Sequence, residues 1–313
     1  MKNLLILPLL LLIAGCKPAS ESTPAAAPQP GAPAAAVPQG GKPQVYAANY
    51  PLKYFAERLG GAAVDVHFPA PADEDPAFWN PDDETIAKYQ AASLILMNGA
   101  SYSKWVDNTT LPDDKVINTS SAFSKDFIEV KEATTHSHGP EGEHSHSGTA
   151  FTTWMDLQQA ILQAQEVSTA LQAVVPAEAK TIQQRFEELK KELESLDNRL
   201  LGVSKRIGNT PLVASHPVYQ YFARRYNLNL QSMHWEPETV PNNKDMENFV
   251  RLLSGHRAKW MLWEGTPAAR SVDRLANLGI QSLVIDPCGN TPENGDFMTV
   301  MTANVEALEK AFP

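Results

Sequence analysis

The sequence predicts an α/β protein made of two parallel-sheet lobes that are joined by one long helix. Short apolar runs alternate with helical patterns in the first half of the chain, and the same alternation returns in the second half. Such continuous apolar runs are typical of strands that are buried on both faces of a parallel sheet. Between the two halves lies a single amphipathic stretch, residues 177–207, which is far longer than an average helix.

Residues 177–207 are predicted to form this connecting helix, which we call the spine. Pro176 suits a first helical turn, and Gly208 ends the pattern. A short coiled coil is the alternative, because the steps are heptad steps, but the flanking chain has no heptads. The apolar stripe runs in steps of four and three through Ile182, Phe186, Leu189, Leu193, Leu196, Leu200, Val203 and Ile207.

The N-terminus is typical of a targeting segment. Lys2 precedes an apolar run at 4–13, and the sequence before Cys16 resembles a bacterial lipobox, in which the cysteine is lipidated. The alternative is an ordinary secretory signal with a chance cysteine. Lipidation of Cys16 would leave Cys288 without an intramolecular partner, so we expect no disulfide. Residues 17–42 are rich in alanine and proline and are interpreted as a tether.

The other elements follow in order on either side of the spine. In the first half we expect strands at 44–48, 63–68 and 93–97 and helices at 50–59 and from Asp82 through Tyr89. In the second half we expect strands at 212–214, 260–263 and 283–285 and helices at 218–226, 245–253 and 271–278. The predicted boundaries are a signal peptide at 1–15, a tether at 16–43, lobes at 44–175 and 209–313, and a spine at 176–208.

Composition and motifs exclude several functions. The formal net charge of −10 argues against a nucleic-acid or anionic-membrane surface as partner. We find no serine nucleophile elbow, no phosphate-binding glycine loop and no His-Glu-x-x-His helix, and Cys288 has no neighbouring base in the sequence. The sequence therefore predicts a binding protein rather than an enzyme.

Three polar residues directly follow predicted strands of the second half. They are His216, Glu264 and Asp286. In open α/β sheets, ligands bind beyond the carboxyl ends of the strands, where these side chains can converge. We therefore expect a ligand to bind beside these three residues.

Five local motifs strengthen this interpretation, and in chain order they occupy residues 49–52, 75–79, 98–105, 215–222 and 286–289. Together with the lipobox, the tether and the lobe–spine–lobe order, they resemble the metal-binding solute receptors of ABC importers, the zinc and manganese group. The resemblance implies a monomeric lipoprotein, periplasmic or on the cell surface. It also implies that an inter-lobe cleft captures a divalent metal, zinc first and manganese as an alternative, for an importer permease.

The chain departs from this family at two ligand positions, where Ala77 and Thr152 stand in place of the usual histidines. The resemblance therefore implies that any metal is held mainly from the second lobe, by His216, Asp286 and Glu264. His234 and Glu236 are possible additional ligands. A surface or hinge role is the favoured interpretation of both residues. His67 is expected to be a hydrogen-bonded strand residue, and His256 a helix-end residue.

A second metal signal is independent of the cleft. Residues 132–150 form a polar, glycine-containing loop that is expected to bind zinc-class ions weakly. A solvated loop without a metal role is the alternative. The loop histidines are His136, His138, His144 and His146.

Tryptophans form a third pattern, since Trp79, Trp154 and Trp263 fall in the motifs assigned to the cleft. They could stack on a metal chelate or an organic ligand, or simply pack the lobes together. Two functional alternatives therefore stay open beside metal import. One is a receptor for a chelate or a non-metal ligand, and the other is a metal-buffering lipoprotein without a transporter.

Overall fold

We analysed a computed structural model that describes residues 41–130, 135–137, 143–145 and 148–313. The predicted signal peptide, Cys16 and the tether up to residue 40 lie outside the described residues. Among the residues that are described, no helix is long and apolar enough to cross a membrane.

The N-terminal lobe contains a four-stranded parallel sheet. Its strands are β1 (Gln44–Ala47), β2 (Asp65–His67), β3 (Leu94–Met97) and β4 (Val116–Asn118), and its helices are α1 (Tyr50–Gly60), α2 (Asp83–Ala91) and α3 (Leu157–Val174). The strand order is β2-β1-β3-β4. Val45 and Ala47 pack on one face, whereas Tyr46 packs on the other with Ile95 and Tyr89. Burial on both faces explains the continuous apolar runs that predicted this sheet.

Short strands link the end of this lobe's sheet to α3. They are β5 (Glu129–Val130), β6 (Thr135–Ser137), β7 (Glu143–Ser145) and β8 (Gly148–Thr149). Strand β5 pairs with β8 and β6 with β7, both antiparallel. His136 and His144 are register partners in β6 and β7, whereas His138 and His146 lie outside the described residues.

The C-terminal lobe repeats the same plan. Its strands are β9 (Leu212–Ala214), β10 (Leu230–Ser232), β11 (Trp260–Trp263) and β12 (Gln281–Val284). Four of its helices are α5 (Gln220–Arg225), α6 (Asn243–His256), α7 (Ala269–Ala276) and α8 (Phe297–Ala311). All four strands are parallel in the order β10-β9-β11-β12, so the prediction of two parallel-sheet lobes is confirmed.

The spine is helix α4 (Ala179–Ile207), a single helix of 29 residues that ends at Gly208 with a φ of +56°. All eight predicted apolar residues of its stripe are buried. Helices α3 and α8 pack against it from the two lobes. The prediction of one long connecting helix is therefore confirmed, and the coiled-coil alternative is not needed.

A buried carboxylate in the spine fixes the helix that follows the candidate site. Asp197 accepts hydrogen bonds from Arg225 (2.5 and 3.1 Å), Tyr226 (2.9 Å) and Gln158 (3.0 Å). Because Arg225 ends α5 and Gln158 lies in α3, this one side chain ties both lobes to the spine. The hydrogen bonds of Asp197 therefore fix the position of α5, the first helix after His216.

Candidate metal site

The candidate site is built at the carboxyl edge of the C-terminal sheet. His216 follows β9 by two residues and is only 3% exposed. The backbone N–H of Ser215 donates to the carbonyl of Leu262 in β11 (2.8 Å), so the chain keeps to the sheet until just before the histidine. The position of the imidazole is therefore set by strand pairing rather than by a free loop.

Glu236 reaches the same place from the neighbouring strand. After β10 the chain continues beside β9, because Met233 and Trp235 donate their backbone N–H groups to Ala214 and Ser215 (both 2.8 Å). Side chains alternate along extended backbone. Trp235 points into the core of the lobe, so His234 and Glu236 share the opposite side.

Glu264 completes a compact group of three residues. It directly follows β11, and its Oε1 lies 2.9 Å from His216 Nδ1, while Glu236 Oε1 lies 3.3 Å from the same nitrogen. Possible ligand atoms of the three residues all lie within 4.8 Å of one another. Sequence reasoning placed His216 and Glu264 at this edge, and the structure brings them together.

The electrostatics of the group favour a cation. Burial alone lowers the pKa of His216, but the charges and hydrogen bonds of Glu264 and Glu236 outweigh burial and raise the pKa to about 10. The metal-free imidazole is therefore protonated at neutral pH, with its charge between two carboxylates. A divalent ion in this place would balance both carboxylates and would be bound by imidazole and carboxylate, which are zinc ligands.

Asp286 lies near this group but is not part of it. Its Oδ1 accepts the backbone N–H of Cys288 at 2.6 Å, and its own backbone exchanges two hydrogen bonds with Asn304 (2.9 and 2.7 Å). Burial raises the pKa of Asp286, the Cys288 N–H partly offsets this, and the nearby charge of Glu264 raises it further. The predicted convergence of three residues thus holds for two of them, with Glu236 in the third place.

The N-terminal side of the seam between the lobes is built differently. Ala77 is 0% exposed and belongs to the hydrophobic core. The Thr152 hydroxyl donates to the carbonyl of Val218 in the other lobe at 2.5 Å. Trp154 likewise donates its Nε1–H to the carbonyl of Pro287 at 2.7 Å. Thr152 and Trp154 thus hold the lobes together, and Ala77 offers no ligand atom in its side chain.

Comparisons of the whole chain with known proteins show its family. Residues 45–311 match the family model described as "ZnuA: Zinc-uptake complex component A periplasmic". The chain belongs to this family. The zinc-binding lipoprotein AdcA of Streptococcus pneumoniae R6 is 21% identical over 282 residues, covering 86% of this chain and 56% of AdcA. This chain thus spans little more than half the length of AdcA.

A second relative matches along nearly its whole length. The metal ABC transporter substrate-binding lipoprotein ScbA of Streptococcus cristatus is 22% identical over 288 residues, covering 85% of this chain and 88% of ScbA. The resemblance to zinc and manganese receptors that the motifs indicated is confirmed by the family match and by these relatives.

Solved structures show the same fold. The metal-dependent lipoprotein YcdH of Bacillus subtilis superposes with a TM-score of 0.73 at 18% identity, covering 87% of this chain and all of YcdH. The Zn(II)-bound ZnuA-like domain of S. pneumoniae AdcA gives a TM-score of 0.72 at 19% identity, with coverage of 87% and 99%. At these identities the likeness concerns the fold alone.

Within this ZnuA-family fold, the three candidate tryptophans have different environments. Trp263 is 0% exposed, lies in the core of the C-terminal lobe and donates to Ser282 Oγ (3.1 Å), so its prediction as a cleft residue is wrong. Side chains alternate along β11, so Trp263 shares a face with Met261, which packs in the same core. Trp154 is 1% exposed and packs edge-on against Tyr102, which matches the packing alternative. Trp79 is buried beside the 75–79 motif, and its stacking role stays a prediction.

Two further histidines, His67 and His256, make structural contacts. His67 in β2 places Nε2 2.6 Å from Gln44 Oε1 and stacks on Tyr46. His256 ends α6 and places Nε2 2.7 Å from the Leu212 carbonyl. Neither lies in the group around His216, so both match the roles predicted for them.

Proposed function

We propose that this protein is an extracytoplasmic receptor that captures a divalent metal, zinc first, and passes it to an ABC importer. The observation that carries the proposal is the group of His216, Glu236 and Glu264, whose possible ligand atoms lie within 4.8 Å of one another. A buried imidazole between two carboxylates is a donor set suited to zinc and related divalent ions. The zinc-binding and manganese names of the relatives support the same cargo class.

The family match also supports the location and partner. We infer that the chain is anchored through a lipid on Cys16, faces away from the cytoplasm, works as a monomer and docks on a permease. We further infer that it binds its cargo without converting it, because the described residues of the site contain carboxylates and an imidazole but no activated nucleophile. Cys288, the one described cysteine, is buried, and burial raises its pKa far above the usual range.

The test separates the cleft from the loop histidines. The full chain is purified in detergent without a histidine tag, beside a variant in which His136, His138, His144 and His146 are all changed to Ser. Metal content is measured by mass spectrometry, and zinc affinity by competition with a chelator of known affinity. We expect the unchanged chain to bind more than one zinc and the loop variant to retain one tight zinc with an intact fold. A loop variant without zinc would refute the cleft function, and unchanged stoichiometry would show that the loop is inert.

One observation favours a second candidate, a receptor for a chelated metal. The group contains three residues, and on the N-terminal side Ala77 and Thr152 supply no further ligand in the described structure. Zinc prefers four ligands, so a small chelator could supply the fourth. Titration of the loop variant with zinc alone and with zinc plus citrate decides between the two. A large gain in affinity with citrate would favour the chelate.

A further inference from the structure

We propose that His234 is the fourth ligand, so that a complete site of two imidazoles and two carboxylates lies on the C-terminal lobe alone. This inference rests on the proposed function, since it names the residues that hold the metal. It differs from a cleft in which the two lobes share the ligands. The four residues are His216, His234, Glu236 and Glu264.

His234 is placed for this role by the backbone that places Glu236. The two residues lie on the same side of the extended segment after β10, and the buried Trp235 between them fixes which side that is. The ring centroids of His234 and His216 are 6.1 Å apart, with an angle of 67° between the ring planes. His234 Nδ1 and Glu236 Oε1 are both shielded from solvent.

The distances are close to those that a zinc ion imposes. With zinc bonds of about 2.0–2.2 Å, tetrahedral geometry sets ligand atoms roughly 3.4 Å apart and two bound imidazole centroids roughly 5 Å apart. The present separations from His216 Nδ1 are 2.9 Å to Glu264 and 3.3 Å to Glu236, and the ring centroids are 6.1 Å apart. The His234 ring is therefore about 1 Å farther from the His216 ring than a shared zinc ion requires, a difference that side-chain rotation can close.

The other nearby donors are engaged in structural bonds. Asp286 Oδ1 caps the Cys288 N–H, and the Asp286 backbone is fixed by Asn304. The Thr152 hydroxyl is directed to the Val218 carbonyl. Recruiting either residue would break a buried hydrogen bond, which costs about 1–3 kcal/mol.

The proposed ligand set determines which metals should bind. Two carboxylates balance the charge of a divalent ion, and two imidazoles favour zinc, cobalt and nickel over magnesium and calcium. Because the four residues belong to one sheet edge, a metal can bind without drawing ligands from the other lobe. The seam bonds of Thr152 and Trp154 would then persist in the metal-bound protein.

The experiment uses the full chain with the four loop histidines changed to Ser, titrated with zinc against a competing chelator. On this background His234→Ala, His234→Gln and Glu236→Gln are compared with two controls, Asp286→Asn and His67→Gln. We expect the first three to weaken zinc binding by at least about 30-fold and the controls to change it less than threefold. Thermal unfolding in the presence of a chelator shows whether each variant folds. If His234→Ala does not fold, His234→Gln alone tests this ligand.

Cobalt provides a readout of the ligands themselves. Tetrahedral cobalt absorbs visible light more strongly than octahedral cobalt, so the parent should show an intense visible band that His234→Gln weakens and shifts. If Asp286→Asn loses zinc binding while the His234 variants keep it, the inference is overturned and metal capture is left intact. Absence of zinc from the parent itself would instead refute the proposed function, and the inference with it.

Discussion

The two lobes place different chemistry at equivalent points of the same sheet. Both sheets have equivalent strand orders, so β1 corresponds to β9 and β3 to β11. Asn49 lies two residues after the end of β1, and His216 lies two residues after the end of β9. Asn98 directly follows β3, and Glu264 directly follows β11. In the N-terminal lobe, Asn49 Nδ2 donates to Asn98 Oδ1 at 3.2 Å. In the C-terminal lobe, His216 Nδ1 lies 2.9 Å from Glu264 Oε1.

The N-terminal pair is buried within a neutral network. Asn49 and Asn98 are both 0% exposed, and Asn98 Oδ1 also accepts hydrogen bonds from Gln163 (3.0 Å) and Thr153 (3.4 Å). Its Nδ2 donates to the carbonyl of Phe151 (2.9 Å), just before the Thr152 seam residue. Neutral groups that satisfy one another rigidify a core. In the C-terminal lobe, Glu236 joins the pair of His216 and Glu264, so two carboxylates meet one imidazole and leave negative charge for a cation to balance.

The two sheets thus place a pair of side chains at the same two strand ends. The residue types at these positions decide whether the pair forms a structural network or can bind a cation. One copy forms a structural joint, and we propose that the other forms the binding site. Each of the following predictions tests one side of this difference by a change that should affect either metal affinity or stability, but not both.

The largest expected effect concerns His216. On the loop-histidine background, His216→Ala should weaken zinc binding by at least about a thousandfold, because the central ligand is lost. Competition titration measures the affinity. The matched control is Asn49→Ala at the equivalent point of the other lobe, which should leave zinc affinity within threefold while lowering stability. Tight zinc binding that survives His216→Ala would refute the assignment of the site.

The next effect lies in the amide network. Asn98→Ala removes the acceptor of Asn49, Gln163 and Thr153 and the donor to Phe151, so it should lower the free energy of unfolding by about 3 kcal/mol. Denaturant unfolding in a chelator measures this change. Zinc affinity of the folded variant should stay within threefold. A loss of zinc affinity without a loss of stability would show that the N-terminal position takes part in binding.

Much of this arrangement could be predicted from the sequence, because fully buried strands leave continuous apolar runs. Strands β1, β3, β9 and β11 were predicted, and His216 and Glu264 were placed at the right edge. Strand β10 was missed because it is a partly exposed edge strand, and with it the position of Glu236. Asp286 could not be placed, since its local bonds to Cys288 and Asn304 depend on the folded loop and on α8.

Further elements were also missed, and β4 and α3 show two different reasons. Strand β4 is short and half-exposed, so it lacks an apolar run. Helix α3 buries Gln159, Gln163 and Ser168 beside its alanines and leucines. Polar residues on a buried face weaken the apolar periodicity on which helix prediction depends. Gln163 is buried because it belongs to the amide network, which cannot be seen from sequence spacing.

A smaller effect is expected at the aromatic part of the seam. Trp154→Phe keeps most of the ring but removes the 2.7 Å bond to the Pro287 carbonyl, so it should cost about 1.5–2 kcal/mol of unfolding free energy. The matched control is Trp263→Phe, which loses a bond to Ser282 within a single lobe. Both variants should keep their zinc affinity. A selective loss of zinc binding in Trp154→Phe would revive the stacking interpretation of this tryptophan.

The smallest effect concerns Thr152, which stands where the resemblance implies a ligand histidine. Thr152→Val conserves the shape but removes the hydroxyl that donates to Val218, and should lower the unfolding free energy by about 1 kcal/mol. Thr152→Ser keeps the hydroxyl and should restore most of that stability. Because the hydroxyl is committed to the seam, zinc affinity should be equal in both variants. If Thr152→Val instead weakens zinc binding tenfold while Thr152→Ser does not, the hydroxyl contributes to the metal site, and the C-terminal lobe does not hold the ion alone.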